Sequence, residues 1–179
     1  MELNYRRVDP LNDEDLNVLL RGMNDPQIRH LVTPNFREEE LPVVTLEDYR
    51  ASILSAGKEV HRFIIFDGKK AIGDLSLAVD PDHLFLCIPN SGWLGICISD
   101  GDYRGRGIGR KALEFIEGFA WERGLVRIEL GVFSYNEPAI RLYQKAGYHE
   151  IGRIPNFVWY KDRWWADIRM EKMKPSQDE

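Results

Sequence analysis

Residues 103–113 read YRGRGIGRKAL, Tyr103 to Leu113, and this short stretch decides the fold. Gly105, Gly107 and Gly109 alternate with Arg104, Arg106 and Arg110, and an apolar-periodic run follows at once. A glycine within a helix costs about 1 kcal/mol relative to alanine, so their clustering at a helix entrance marks a need for bare backbone. Upstream, "GWLGICI" (residues 92–98) reads as a strand. Downstream, the spacing predicts a helix from about Gly107 to Arg123. Ile108, Ala112, Phe115, Ile116 and Phe119 form its apolar face, with Arg110, Glu114 and Glu117 off it. Strand, glycine loop and helix N-terminus together make an anion site. The first helical turn leaves N–H groups unpaired and carries roughly +0.5 of a charge. Glycines let a phosphate approach that main chain, and arginines add charge. The expected ligand is phosphorylated and held by backbone.

Working outward, "VRIELGV" (residues 126–132) reads as the strand after that helix, so a strand–helix–strand unit joins it to "GWLGICI" and requires two neighbouring parallel strands. On the N-terminal side, "NYRRV" is a short strand. Asn12 is placed to cap a helix carrying Leu16, Leu19, Leu20 and Met23 and closed by Pro26. Thr45, with Asp48 three residues later and Gly57 at the exit, repeats that plan. "HRFIIFDGKKAIGDLSLAV" reads as a hairpin about Asp67-Gly68. On the C-terminal side, "NEPAIRLYQKAG" is a short helix with Pro138 in its first turn and Gly147 at its end. "YHEIGRI" and "RWWADIRMEKM" read as two strands. The fold class is α+β, a mixed and mostly antiparallel sheet flanked by helices. A single domain over 1–174 is expected, with 175–179 a frayed tail.

Composition narrows the function. With 179 residues, the chain is long enough to bury a core without staples. A formal net charge of -5 argues against a nucleic-acid binder that relies on a broad basic surface. Cys87 and Cys97 make no CxxC pair, which points to a reducing compartment. "MELNYRRVDP" has no apolar signal core, and no run is long enough to span a bilayer. A cytoplasmic protein with no membrane partner is expected. His30, His61, His83 and His149 are scattered without ligand spacing, so no metal is expected.

Two phosphate motifs fit the glycine loop poorly. A Walker A loop needs G-x-x-x-x-G-K-[ST], and no frame supplies it. A dinucleotide fingerprint matches loosely as Gly107, Gly109 and Ala112, with Glu129 about twenty residues on. It wants its glycines directly after the strand, whereas "SDGDYRG" intervenes. A third pattern fits fully. "RGRGIG" supplies Arg104, Gly107 and Gly109 of an R/Q-x-x-G-x-G/A signature. Asn136, Ala139, Leu142, Tyr143, Gly147 and Tyr148 fill every slot of N-x-x-A-x-x-L-Y-x-x-x-G-[FY]. With both motifs, the chain resembles the GNAT superfamily of N-acetyltransferases over nearly its full length. It is most similar to the RimJ/RimL-like branch, which acetylates ribosomal-protein N-termini and small amines.

That resemblance implies acetyl-CoA as co-substrate and a small-molecule or peptide amine as acceptor. The pyrophosphate is expected on the N–H groups of Gly105, Arg106, Gly107, Ile108, Gly109 and Arg110. The pantetheine arm, which is peptide-like, would add to the strand edge at Ile96, Cys97 and Ile98, and Gly95 beside it suits close backbone approach. An alkyl amine with a pKa of about 10.4 must lose a proton before attack. The N–H of Ile98 would face the developing oxyanion. Tyr143 would be the general acid for the sulfur, and Asn136 would bond the cofactor arm and cap its helix. Glu129 is a candidate base, with pairing to Arg127 as its alternative. Glu38, Glu39 and Glu40 read as a solvated face that could also draw in a cationic amine. Residues 31–46 and "PNFVWYKDRWW" are expected to shape the acceptor pocket, and tryptophans near the last hairpin would suit a homodimer. A non-catalytic acyl-CoA sensor on the same fold and a dinucleotide-dependent oxidoreductase are the competing readings.

Overall fold

Seven strands hydrogen-bond into one sheet, in the order β1-β2-β3-β4-β5-β7-β6, in a computed structural model that describes residues 2–56 and 59–176. The strands are β1 (Leu3–Arg7), β2 (Val60–Asp67), β3 (Lys70–Val79), β4 (Ser91–Cys97), β5 (Arg127–Phe133), β6 (His149–Trp159) and β7 (Trp164–Met173). Helices α1 (Asp13–Asn24), α2 (Arg29–Val32) and α3 (Leu46–Ser55) lie between β1 and β2. α4 (Ile108–Glu122) and α5 (Glu137–Lys145) flank β5 in the chain. The expected α+β class holds. All neighbouring pairs are antiparallel except β4–β5. Among the described residues no helix is long and apolar enough to cross a membrane.

Local chemistry explains the helix starts. Asn12 accepts hydrogen bonds from the Glu14 and Asp15 amides at 2.9 and 3.2 Å, and Thr45 accepts from Asp48 at 3.1 Å. Each satisfies donors that an α-helix leaves free in its first turn. The expected exit at Gly57 lies outside the described residues, as do 177–179 of the tail. α2 was not foreseen; four residues are too few to show periodicity. The β2–β3 turn is one residue later than expected. Asp67 pairs with Lys70, so Gly68 and Lys69 form the turn, with Gly68 at φ +58°. Glycine in the first turn position meets that positive φ without strain.

One face of the sheet buries α4. Ile108, Ala112, Leu113, Ile116 and Ala120 pack on Leu75, Leu77, Leu94, Ile128, Leu130 and Val132. Each large aliphatic side chain there stabilises the fold by about 1.5–3 kcal/mol. Two details of α4 differ from expectation. Phe115 and Phe119 are only half-buried at the rim, where Phe115 stacks on Tyr5 at 3.9 Å. Glu117, expected on the solvent side, is buried and ion-paired to Lys172 at 2.6 Å.

The functional geometry comes from β4 and β5. They pair only at Ser91–Arg127, Gly92–Ile128 and Trp93–Glu129. Beyond Trp93, β4 stays with β3 as far as Cys97, while β5 stays with β7 as far as Phe133. The parallel pair therefore opens, leaving the β4 main chain from Leu94 onward unpaired on its β5 side.

Candidate active site

The glycine-arginine loop leads from the open end of β4 into α4. Arg104 N–H bonds Gly101 O at 3.2 Å, and Lys111 N–H bonds Gly107 O at 3.3 Å. Between them, the amides of residues 105–110 find no acceptor among the described residues. Gly105 and Gly107 take φ of +73° and +79°, and a Cβ at either would meet open space. These two glycines leave the loop backbone uncovered by side chains at both positions. Gly109 has another cause: a Cβ there would sit 2.7 Å from Leu142 Cδ2, so it lets α5 pack onto α4.

The arginines do less than the sequence suggested. Arg104 folds back, with Nε on Ile98 O at 2.9 Å and Nη2 on Ser99 O at 3.0 Å. It ties down the chain leaving β4. Arg110 bonds Glu114 and Lys145 O, each at 2.8 Å, joining α4 to the end of α5. Arg106 lies 5.8 Å from the Tyr103 ring centroid. Arg104 and Arg110 are thus engaged in tying the loop and α4 to their neighbours.

Asn136 caps α5, accepting from the Ala139 amide at 3.4 Å. Pro138 lies in the first turn, and Gly147 closes the helix at φ +92°. The α5 register turns Tyr143 inward against the core, 7% exposed. Burial, and next the Cys97 thiol, push its hydroxyl up, so it stays protonated at neutral pH. Cys97 on β4 is itself pushed up, chiefly by burial and then by Asp74. Tyr143 thus lies close enough to feel the charge of Cys97, on the part of β4 that has left β5.

Glu129 departs from the role of base. It is fully buried, with Arg127 Nη2 on its Oε2 and the Phe85 amide on its Oε1 at 2.7 Å. Arg169 Nη1 lies 3.5 Å from Oε1. Arg127, also fully buried, reaches Glu171 through Nε, and Arg169 pairs with Asp167 at 2.6 Å. Both carboxylate oxygens of Glu129 are engaged in a closed network, so its alternative, pairing with Arg127, is the arrangement present. The covering loop contributes His83 O to Arg169 and Leu86 O to Arg127. Asp167 is raised, first by burial.

Segments 31–46 and 155–165 both contribute walls to a cavity of about 350 Å³. His30, Glu40, Val158, Trp159 and Tyr160 line it along with Arg29 and Thr33. His30 stacks on Tyr160 at 4.3 Å, and burial lowers its pKa, so it is neutral at pH 7. Arg29 Nε and Thr33 Oγ1 are buried without partners among the described residues. Glu38, Glu39 and Glu40 are exposed, and Glu38 accepts from Trp164 Nε1 at 3.1 Å. The hairpin tryptophans are half-buried rather than bare: Trp159 and Trp164 pack edge to face at 5.6 Å. Among the described residues no group of three or more His, Cys, Asp or Glu side chains could hold a metal.

A sheet with a single parallel pair is not the doubly wound sheet that a dinucleotide fingerprint serves. Comparison with known proteins agrees. The family model described as "Acetyltransferase (GNAT) family" matches residues 26–148. Over 46 residues, the chain is 46% identical to an uncharacterized N-acetyltransferase, YdgE, of Bacillus subtilis (strain 168). That match spans 26% of this chain and 29% of the relative. The fold superposes on spermidine N-acetyltransferase from Vibrio cholerae in complex with CoA and spermine. The TM-score is 0.75 at 22% identity, over 96% of this chain and 95% of the other. Ribosomal-protein-alanine N-acetyltransferase from Brucella melitensis gives a TM-score of 0.76 at 22% identity, over 97% and 100%.

Proposed function

The chain belongs to the acetyltransferase (GNAT) family, and from that premise we propose that it moves an acetyl group from acetyl-CoA to a primary amine, on a small molecule or a protein N-terminus. One observation carries the reading: unpaired amides at 105–110 lie at the mouth of a cleft whose inner end holds a buried tyrosine hydroxyl. The loop fits a diphosphate, because its donors are bare and Gly105 and Gly107 leave room. The free edge at Ile96, Cys97 and Ile98 fits an amide-bearing arm. Bound there, acetyl-CoA supplies an activated acetyl group. Asn136 stands at the α5 entrance toward that arm, and Ile98 N–H faces the acetyl oxygen.

Tyr143 serves the leaving sulfur. An ordinary thiol titrates near 8.5 and an ordinary tyrosine near 10, so proton transfer to sulfur in water runs uphill. The surroundings that push the Cys97 thiol up push a neighbouring sulfur the same way. Burial disfavours a bare thiolate as it does a bare phenolate, and the protonated hydroxyl beside the sulfur is then the proton source. The cavity walled by His30, Trp159 and Tyr160, with Glu40 at its rim, receives the acceptor. Aromatic faces and a carboxylate suit an alkylammonium group. The RimJ/RimL-like placement rests on the sequence pattern of the two motifs.

Thiol release across an amine panel, with mass spectrometry of the products, tests the reading. A gain of one acetyl group with stoichiometric CoA is expected. Binding of acetyl-CoA without release would leave an acyl-CoA sensor instead, and thermal protection by NAD alone would favour the oxidoreductase. The loop can be tested separately with Gly107→Val. Its φ of +79° costs a side chain about 1–2 kcal/mol, and the new side chain stands where the diphosphate would rest. Calorimetry should show much weaker acetyl-CoA binding and a modestly lower melting temperature. Unchanged affinity would remove the loop from the cofactor site.

A further inference from the structure

Asp74 is the charged group of the cleft region that neither motif names. It sits on β3 directly opposite Cys97 in the β3–β4 ladder, so the two side chains share a face of the sheet. α1 and α3 cover that face. A Cβ on Gly22 of α1 would stand 2.6 Å from Cys97 Sγ, and Tyr49 of α3 is raised to about 12 by burial and then by the Asp74 charge. Tyr143 reaches Cys97 from the opposite, α4 side. A carboxylate and a protonated phenol therefore lie on either side of Cys97, at the end of β4 that has parted from β5.

Among the described residues no hydrogen-bond or ion-pair partner holds the half-buried Asp74 carboxylate. Arg62 of β2 acts on it only through its charge, and no hydrogen bond contributes to its titration. Tyr49 faces it from α3 and Cys97 from β4. Farther out, Asp25 at the end of α1 and Arg104 after β4 act on Cys97. Asp25 itself precedes Pro26, one of the residues lining the cavity beside α2. This contrasts with Glu129, whose oxygens are all engaged.

We propose that Asp74 is the general base of the transfer, taking a proton from the acceptor nitrogen directly or through one water. This rests on the transferase reading above. The acceptor enters as an ammonium ion and gives its first proton to Asp74. Its nitrogen lone pair then forms the N–C bond to the acetyl carbon as the C–S bond breaks, and the sulfur keeps that electron pair. Tyr143 protonates the sulfur. The second nitrogen proton restores Tyr143 through solvent, and Asp74 returns its proton to water. One amide, one thiol and one free proton result. Burial pushes the Asp74 carboxyl up to about 7 against the pull of Arg62, so its basic form accumulates across the neutral range.

Asp74→Asn and Asp74→Glu test this, with wild type beside them. Wild-type kcat/KM should climb to a plateau with a midpoint near pH 7. Asp74→Asn should lose that limb and about 10²-fold or more of activity, with calorimetric affinity for acetyl-CoA retained, and Asp74→Glu should restore part of both. A readout without turnover accompanies it. The folded carboxyl titrates above its unfolded value, so the fold loses stability as pH rises from about 4 to about 7. Asp74→Asn should therefore melt higher than wild type at pH 8, by a margin that shrinks toward pH 4. An Asp74→Asn enzyme with full activity and an unchanged acid limb overturns the assignment, as does loss of that limb in His30→Gln instead. Wild type that frees no CoA with any amine overturns both readings, while an active wild type with an unaltered variant overturns only this one.

Discussion

Tyr143→Phe should lower kcat by about 10²-fold or more while the affinity for acetyl-CoA stays nearly unchanged. The ring is almost wholly buried against Leu130, Ala146 and Tyr148, and phenylalanine keeps that packing. Only the hydroxyl is lost, so the fold should survive with little change in melting temperature. The hydroxyl matters because burial holds it protonated beside β4, where a sulfur leaving group would otherwise depart as a bare thiolate. Poorly basic leaving groups need this proton least. Acyl donors built on more acidic thiols should therefore recover part of the lost rate in Tyr143→Phe. Stopped-flow thiol release, paired with calorimetry, reads both quantities. Wild-type turnover in the variant would remove Tyr143 from the reaction.

Glu129→Ala should cost about 3–5 kcal/mol of stability, a large part of the roughly 5–15 kcal/mol that holds a domain together. Arg127 is fully buried, and its Nη2 would lose the carboxylate it faces. The Phe85 amide would lose its acceptor, and the loop over this face would come loose at His83 and Leu86 as well. Urea titration should show the midpoint fall sharply, with aggregation on expression as the extreme. Glu129→Gln keeps the acceptor oxygen and should cost less. Where Glu129→Gln folds, its pH–rate profile should keep the wild-type acid limb, because both Glu129 oxygens are held in the buried network. A near-neutral urea midpoint for Glu129→Ala would show that the network contributes nothing.

Much of the fold was legible beforehand, for local reasons. Asn12, Thr45 and Asn136 lie just before apolar-periodic runs, and each caps the helix that follows. The strand–helix–strand unit around the glycine loop demanded a parallel pair, and β4–β5 is that pair. The extent of that pairing was not legible. Nothing in "GWLGICI" or "VRIELGV" says that the two strands part after Trp93, since register depends on what each strand meets on its other side.

Charged strand residues were the least readable. Alternation along β5 puts Arg127 and Glu129 on one face, but does not say whether that face is wet. The segment 80–90 folds over it and buries both, which turns an apparent surface acid into a structural one. Asp74 carries no signal in the sequence, because one aspartate in an antiparallel hairpin reads as an exposed position. Its meaning comes from Cys97, 23 positions away, and from the helices laid over both. Glu117 is the same lesson on α4, where Lys172 from the last strand draws it inward.

Local backbone chemistry determined the caps, the turns, the glycine nest and the order of elements, because each depends on residues within a few positions of one another. Burial and charge pairing were decided by the tertiary structure alone. Whether a carboxylate is a strut, a base or a solvated surface group is set by the dielectric and the partners that distant segments bring to it, and no run of neighbours encodes those.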